Sequence, residues 1–252
     1  MILAESVTKQ YGAAAVVDEV TASIREGTMT TFIGPNGAGK STLLSMVSRL
    51  LKRDGGSVSI DGMPMEHFHD KELAKKLAIL KQSNEMNVRL SIYDLVSFGR
   101  FPYSRGRLTA EDRRVIDESI AYVELESMQN KYLDELSGGQ RQRAFIAMIL
   151  AQDTDYILLD EPLNNLDMRH SVQIMKVLRS LVDDLGKTVV LVVHDINFAS
   201  CYSDFILAMK NGKVVKEGRT WEVIHPDHLK EIYDMDFQVQ EINNQKICVY
   251  FS

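Results

Sequence analysis

The sequence of 252 residues has only two cysteines, no apolar run approaching the roughly 18 residues of a membrane-crossing helix, and no excess of positive charge. Each shortage excludes a class of protein. Cys201 and Cys248 stand in unrelated sequence contexts without metal-ligand spacing, which fits free thiols in a reducing compartment rather than a disulfide scaffold or a zinc site. The opening stretch, Met1 to Gly12, lacks the basic and long apolar regions of a signal peptide. A soluble, cytosolic chain is therefore expected, one that reaches a membrane only through a protein partner. A formal net charge of −6, from 29 Lys and Arg against 35 Asp and Glu, argues against nucleic-acid binding, which needs clustered positive charge. No guanine-reading Asn-Lys-x-Asp motif, internal repeat, linker or low-complexity tract occurs. What remains is ordinary globular composition, 45% hydrophobic and 25% charged, in a chain long enough for one α/β domain or a core with a small subdomain.

The most informative stretch is Gly34-Pro35-Asn36-Gly37-Ala38-Gly39-Lys40-Ser41, between the β-favouring run Met29 to Ile33 and a helical pattern opening at Thr42. Strand, glycine-rich loop and helix in this order, with the spacing G-x-x-x-x-G-K-S, form a P-loop. A polyphosphate must be approached closely by backbone N–H groups, and glycine removes the side chains in the way. Gly34, Gly37 and Gly39 are positions where positive φ is expected. The free amides of the following helix add to the cradle, an effect of about 0.3 to 1 kcal/mol for an exposed anion. Lys40 supplies a mobile positive charge between β- and γ-phosphates, and the Ser41 hydroxyl is a hard oxygen suited to Mg²⁺.

Strand-like segments recur at Leu3 to Val7, Val20 to Ile24 and Val58 to Asp61, with a turn expected at Asp54-Gly55-Gly56. A short helix over Lys71 to Leu77 leads to a strand ending at Gln82. From Ile92 to Leu150 the pattern is helical, with capping signals at Ser91 with Asp94 and at Thr109 with Asp112. Strands return at Tyr156 to Leu159, Thr188 to Val193 and Phe205 to Met209, and their continuous apolar runs suit buried parallel strands. Asp167 to Leu185 carries a core-facing helical stripe. Lys210 to Lys213 and Asn243-Asn244 read as hairpin turns. The pairs His67/His69 and His225/His228 lack ligand partners at metal-site spacing and read as surface or packed residues, and the 12 methionines as core filling.

Two further motifs carry chemistry. Tyr156 to Glu161 is an apolar strand ending in two carboxylates, which alternation along a strand sends different ways. Asp160 suits the Mg²⁺ shell, and Glu161 suits deprotonating or orienting a water at the γ-phosphate. Leu136-Ser137-Gly138-Gly139-Gln140 precedes an uninterrupted helix, repeating the pattern of small residues and free amides at a helix start. By average composition that pentapeptide arises by chance in such a chain about once in 10⁴. It is the more specific of the two glycine-rich signals.

The set resembles the nucleotide-binding subunit of ABC transporters, across essentially the whole chain and in the family's order. Gly34 to Ser41 matches Walker A, Gln82 the Q-loop, Leu136 to Gln140 the signature, Tyr156 to Glu161 Walker B, Asn165-Leu166-Asp167 the D-loop and His194 the switch histidine. Tyr11 matches the aromatic that stacks adenine. The resemblance implies a P-loop NTPase cassette: a single α/β domain over 1–252, with a RecA-like core of about 1–85 and 152–252, an antiparallel β subdomain and an inserted helical subdomain of about 86–151. It also implies a head-to-tail homodimer on a membrane permease dimer, at the cytoplasmic face of the membrane. Each ATP would lie between one subunit's P-loop and the other's Ser137, Gly138, Gly139 and Gln140. Glu161 and His194 would act at the γ-phosphate, and Gln82 would sense Mg²⁺ and link the site to the permease. One departure stands out. Where many members read E-P-T-S-x-L-D, this chain reads Glu161-Pro162-Leu163-Asn164-Asn165-Leu166-Asp167.

A separate cassette is typical of importers. Phe98 to Tyr103 with Ser104-Arg105-Gly106-Arg107 resembles the branch importing iron-siderophores, haem and vitamin B12, and Glu161 to Met168 looks most like its siderophore members. An extracytoplasmic substrate-binding protein then belongs to the full system. Haem, vitamin B12 or another substrate, and a soluble non-transport ATPase, remain the alternatives at this stage. So does a plain solvated loop for Arg100, Arg105 and Arg107.

Overall fold

The computed structural model describes residues 1–81 and 88–251. Its centre is a six-stranded sheet in the order β10-β9-β3-β8-β7-β6, built from β3 (Met29–Ile33), β6 (Leu77–Leu80), β7 (Tyr156–Asp160), β8 (Thr188–Val192), β9 (Phe205–Lys210) and β10 (Lys213–Arg219). All neighbours run parallel except β10, which turns back on β9. A second, antiparallel sheet joins β1 (Ile2–Tyr11), β2 (Ala14–Ile24), β4 (Gly55–Ile60) and β5 (Met63–Pro64), and a hairpin of β11 (Gln238–Ile242) and β12 (Gln245–Val249) lies near the carboxyl end. The helices are α1 (Lys40–Val47), α2 (Asp70–Lys76), α3 (Ile92–Ser97), α4 (Phe101–Ser104), α5 (Ala110–Tyr122), α6 (Gly138–Ala151), α7 (Met168–Asp183), α8 (Ile196–Tyr202), α9 (Thr220–Val223) and α10 (Pro226–Tyr233).

Alternation along the central strands sorts the core into two layers. Met29, Ile33, Ile157, Leu159, Val189 and Leu191 face one side and pack with α3, α5, α6 and α7. Phe32, Tyr156, Leu158, Val190 and Val192 face the other and pack with α1 and the antiparallel sheet. Every residue of β3 and β8 is buried, and apart from Thr30, Thr31 and Thr188 all are apolar, as suits strands covered on both faces. The helices between residues 92 and 151 share the first layer, so Ile92, Ile116 and Ala144 belong to the same apolar cluster as Leu191.

Both expected capping boxes form: Ser91 with Asp94 starts α3, and Thr109 with Asp112 starts α5. Gly55-Gly56, expected in a turn, instead opens β4, with Gly56 at φ +78° beside a register shift against β1. The helical run is also more broken than its periodicity suggested, with short 3₁₀ turns at Glu126–Met128 and Leu133–Glu135 between α5 and α6. The two cysteines, unrelated in sequence, lie on packed elements, α8 and β12. Both are free thiols, and burial pushes Cys248 up to about 11. Among the described residues no helix is long and apolar enough to cross a membrane.

Candidate functional site

Three adjacent strands end at one edge. Register sets Phe32 beside Val192 and Val192 beside Asp160, so the loop after β3, Glu161 after β7 and His194 after β8 emerge together at the carboxyl ends of parallel strands. That is where open α/β sheets bind ligands.

The loop after β3 has the backbone its glycines require. Gly34, Gly37 and Gly39 take φ of +136°, +77° and +100°. A Cβ at Gly34 would sit 2.0 Å from the Met209 carbonyl oxygen, and one at Gly39 would sit 2.5 Å from that of Val16. The second contact shows that the β1–β2 hairpin, whose tip carries the exposed Tyr11, rests on the loop. No side chain caps α1, and its first backbone bond runs from Leu43 N–H to Gly39 O at 2.8 Å. The amides of Lys40, Ser41 and Thr42 therefore precede the helical ladder and face the loop end as anion donors. Gly34 N–H is committed elsewhere, donating to Tyr233 Oη of α10 at 3.2 Å. Tyr233 is in turn held in an aromatic chain, 5.6 Å from Phe237, which is 5.5 Å from Tyr250.

Lys40 is 5% exposed, and its ammonium donates to the carbonyls of Gly34 at 2.7 Å and Pro35 at 2.9 Å. Burial lowers its pKa, and the charges of Glu161 and Asp160 only partly offset this. A buried cation resting on neutral carbonyls suits an incoming anion. Ser41 Oγ donates to Asp160 Oδ1 at 2.7 Å, and burial pushes the Asp160 carboxyl above its usual range. These two hard oxygens, in a site that must take a polyphosphate beside two carboxylates, fit Mg²⁺, which needs few protein ligands when phosphates and waters complete its shell.

Glu161 sits just past β7 at φ +52°, its N–H bound to Val192 O at 3.0 Å. Its side chain is 10% exposed, and Oε1 meets Nε2 of the more open His194 at 2.7 Å. Asn164 Nδ2 donates to the other oxygen, Oε2. The three side chains line a cavity of about 150 Å³.

Ser137 is the N-cap of α6, and Gln140 returns the bond: Gln140 N–H donates to Ser137 Oγ at 3.3 Å and Ser137 N–H to Gln140 Oε1 at 3.0 Å. Ser137 and Gly138 are exposed, whereas Gly139 is buried beneath His170, whose Cδ2 would lie 2.2 Å from a Cβ there. His170 belongs to α7 and is tied at 2.8 Å, through both its N–H and Nδ1, to Asp167, the N-cap of that helix. The signature and D-loop are thus one packed unit. The fold brings Gly34 to Thr42, Asp160, Glu161 and His194 into one site and leaves Ser137 on a separate open surface, while Gln82 lies outside the described residues.

Arg100 is a correction to the solvated-loop reading. It is buried, with Nε 2.9 Å from Asp112 Oδ1, Nη1 2.9 Å from Ala151 O and the guanidinium 3.9 Å from the centre of the Tyr103 ring. Arg105 and Arg107 are exposed.

A family model described as "ABC transporter" matches residues 17–164. The chain belongs to the ABC transporter family. This cassette is 62% identical, over 100% of both chains, to the petrobactin import ATP-binding protein YclP of Bacillus subtilis (strain 168). It is 46% identical to the petrobactin import ATP-binding protein FatE of Bacillus anthracis, over 99% of the cassette and 100% of that protein. Among solved structures it is similar to the dimeric MJ0796 bacterial ABC transporter cassette, with a TM-score of 0.77 and 35% identity over 87% of this chain and 99% of that one. The cassette is accordingly an ATP-binding ATPase of the transport family, with the α/β cassette fold that the motifs implied. Three residues of the site escaped the motifs. Asn164 stood out only as a departure from the family pattern, and nothing in the sequence pointed to His170 or Tyr233.

Proposed function

We propose that this cassette hydrolyses ATP to drive import of a ferric siderophore of the petrobactin class, through a membrane permease dimer on whose cytoplasmic face two copies sit. The observation that carries the substrate class is identity of 62% from end to end with a petrobactin import ATP-binding protein. An extracytoplasmic binding protein delivers the substrate to the permease, and the cassette itself never touches it.

At the site, the amides of α1 and the Lys40 ammonium bind the phosphates, and Tyr11 stacks on adenine. Ser41 and Asp160 would hold Mg²⁺, with Gln82 as the further ligand the family resemblance implies, and the ion would supply positive charge to the phosphates. Glu161 takes a proton from the water that attacks the γ-phosphorus, as the bond from that phosphorus to the ADP oxygen breaks. A general base of this kind contributes about 10²- to 10⁴-fold in rate. His194 donates to a γ-phosphate oxygen and keeps the water in line. Ser137, Gly138, Gly139 and Gln140 of the second copy close on the same phosphate, with Asp167 at the seam between copies. The exposure of Ser137 and Gly138 supports that role. ATP closes the two copies on each other and hydrolysis reopens them, with the helices of about residues 86–151 forming a subdomain inserted in the core.

Glu161→Gln tests the mechanism. The variant is expected to bind ATP with Mg²⁺ tightly and elute as a dimer on size exclusion, and a monomer at high protein concentration would overturn the shared-site reading. Deleting the gene in a strain without a second such cassette tests the substrate. Ferric-siderophore uptake should collapse, and undiminished uptake would refute the assignment.

A further inference from the structure

We infer that Asn164 is a positioning residue for Glu161, holding the carboxylate where it can accept a proton. The inference rests on the reading of Glu161 as the base. It begins with the turn after β7. Asn164 N–H donates to the Glu161 carbonyl at 3.2 Å, closing a four-residue turn over Pro162 and Leu163. That turn folds the Asn164 amide back onto the carboxylate three residues earlier, where Nδ2 donates to Oε2. The backbone of Glu161 is already fixed, at φ +52° and with its N–H on Val192 O. A left-handed conformation is costly for a residue with a Cβ and persists where surrounding contacts hold it. Three side-chain torsions beyond that backbone still need fixing.

His194 fixes one oxygen, at 2.7 Å from Oε1. In the proposed reaction, however, the imidazole must also serve the γ-phosphate. An anchor shared with the substrate cannot define the carboxylate throughout the cycle. Asn164 has no such second duty, and its amide is neutral, so it orients Glu161 without bringing a charge of its own. Its reach also matters. Asn164 occupies the place of the Ser in the E-P-T-S-x-L-D pattern, and an amide nitrogen extends one atom farther than a hydroxyl. The amide and the carboxylate line the same cavity of about 150 Å³, which His194 also borders, room enough for ordered water.

Four variants of the full chain, assayed for ATPase activity, decide the matter. Losing one hydrogen bond to a charged group should lower kcat about 10- to 100-fold in Asn164→Ala, with KM within about 2-fold. Asn164→Asp keeps the size but replaces a donor with an anion, so it should be at least as slow as the alanine variant. Asn164→Ser, which retains a donor, should recover part of the rate. Asn164 is exposed, so all three should keep the wild-type thermal midpoint. An aspartate variant as active as wild type would mean that shape alone matters and would overturn the inference. So would an unchanged kcat in the alanine variant, or a loss confined to KM. Glu161→Gln separates the two levels: full hydrolysis by that variant would sink the base assignment itself, whereas its inactivity beside normal Asn164 variants would sink only the positioning role.

Discussion

Replacing Gly139 with alanine should break the joint between the signature and the D-loop. The added methyl would lie 2.2 Å from Cδ2 and 2.6 Å from Cγ of His170, where carbon atoms prefer about 3.5 to 4.0 Å. The imidazole must swing aside, and doing so gives up its 2.8 Å contact with Asp167 Oδ1. Overpacking costs about 1 to 3 kcal/mol, and the lost bond to the exposed Asp167 carboxylate adds little because water replaces it. Alanine returns about 0.5 to 1 kcal/mol through its better helix propensity. The net expectation is a destabilisation of about 1 to 2 kcal/mol, read as a lower urea midpoint at unchanged slope. The same substitution in a His170→Ala background meets only the remaining Cβ, 3.0 Å away, which tenths of an ångström can relieve. Its cost there should fall to about zero, giving a coupling of roughly 1 kcal/mol in the cycle. Equal destabilisation in both backgrounds would refute the idea that His170 is what forbids a side chain at 139.

Lys40→Ala should weaken ATP binding about 10- to 100-fold by titration calorimetry. Because burial already disfavours that ammonium, the free protein should lose no stability, and unchanged affinity would contradict its phosphate contact. Arg100→Ala strands the Asp112 carboxylate in a site where both partners are under a tenth exposed, a change worth about 3 to 5 kcal/mol in urea unfolding. Burial alone would raise the Asp112 pKa, but the bonds from the Thr109 amide and hydroxyl and from Arg100 outweigh it and leave the folded value depressed. Its stabilising share is therefore fully present above the unfolded pKa of about 3.9 and is lost as pH falls from there through the lower folded value. Stability of the wild type minus that of Asp112→Asn, measured from pH 6 to pH 3, should shrink only below about pH 4. A difference already gone at pH 5 would show that the pair does not hold the carboxylate charged.

How much of this was written in the chain depends on the range over which each feature acts. The P-loop was legible because Gly34 and Gly39 are demanded by backbone oxygens packed against them, and no other residue type fits. The capping boxes at Ser91 and Thr109 were legible because all their atoms lie within four residues. Strand alternation was expected to send Asp160 and Glu161 different ways, but Glu161 lies past β7 in a left-handed turn, so the turn and not the strand sets its direction. Arg100 was not legible, since its burial depends on a carbonyl 51 residues away in Ala151. His170 over Gly139 likewise joins two helices that only the tertiary fold brings together. The bond from Asn164 to Glu161 is short in sequence, yet it was hidden by the left-handed turn at Glu161, which no local residue preference announces.

The hydroxyl of Tyr233 accepts the first amide of the phosphate-binding loop across 199 positions of sequence. Phe237 packs on the Tyr233 ring, and Tyr250 packs on Phe237 in turn. Substitutions in this remote aromatic stack would thus be felt as altered nucleotide affinity, and the tail of the cassette gains a say in how firmly its head grips fuel.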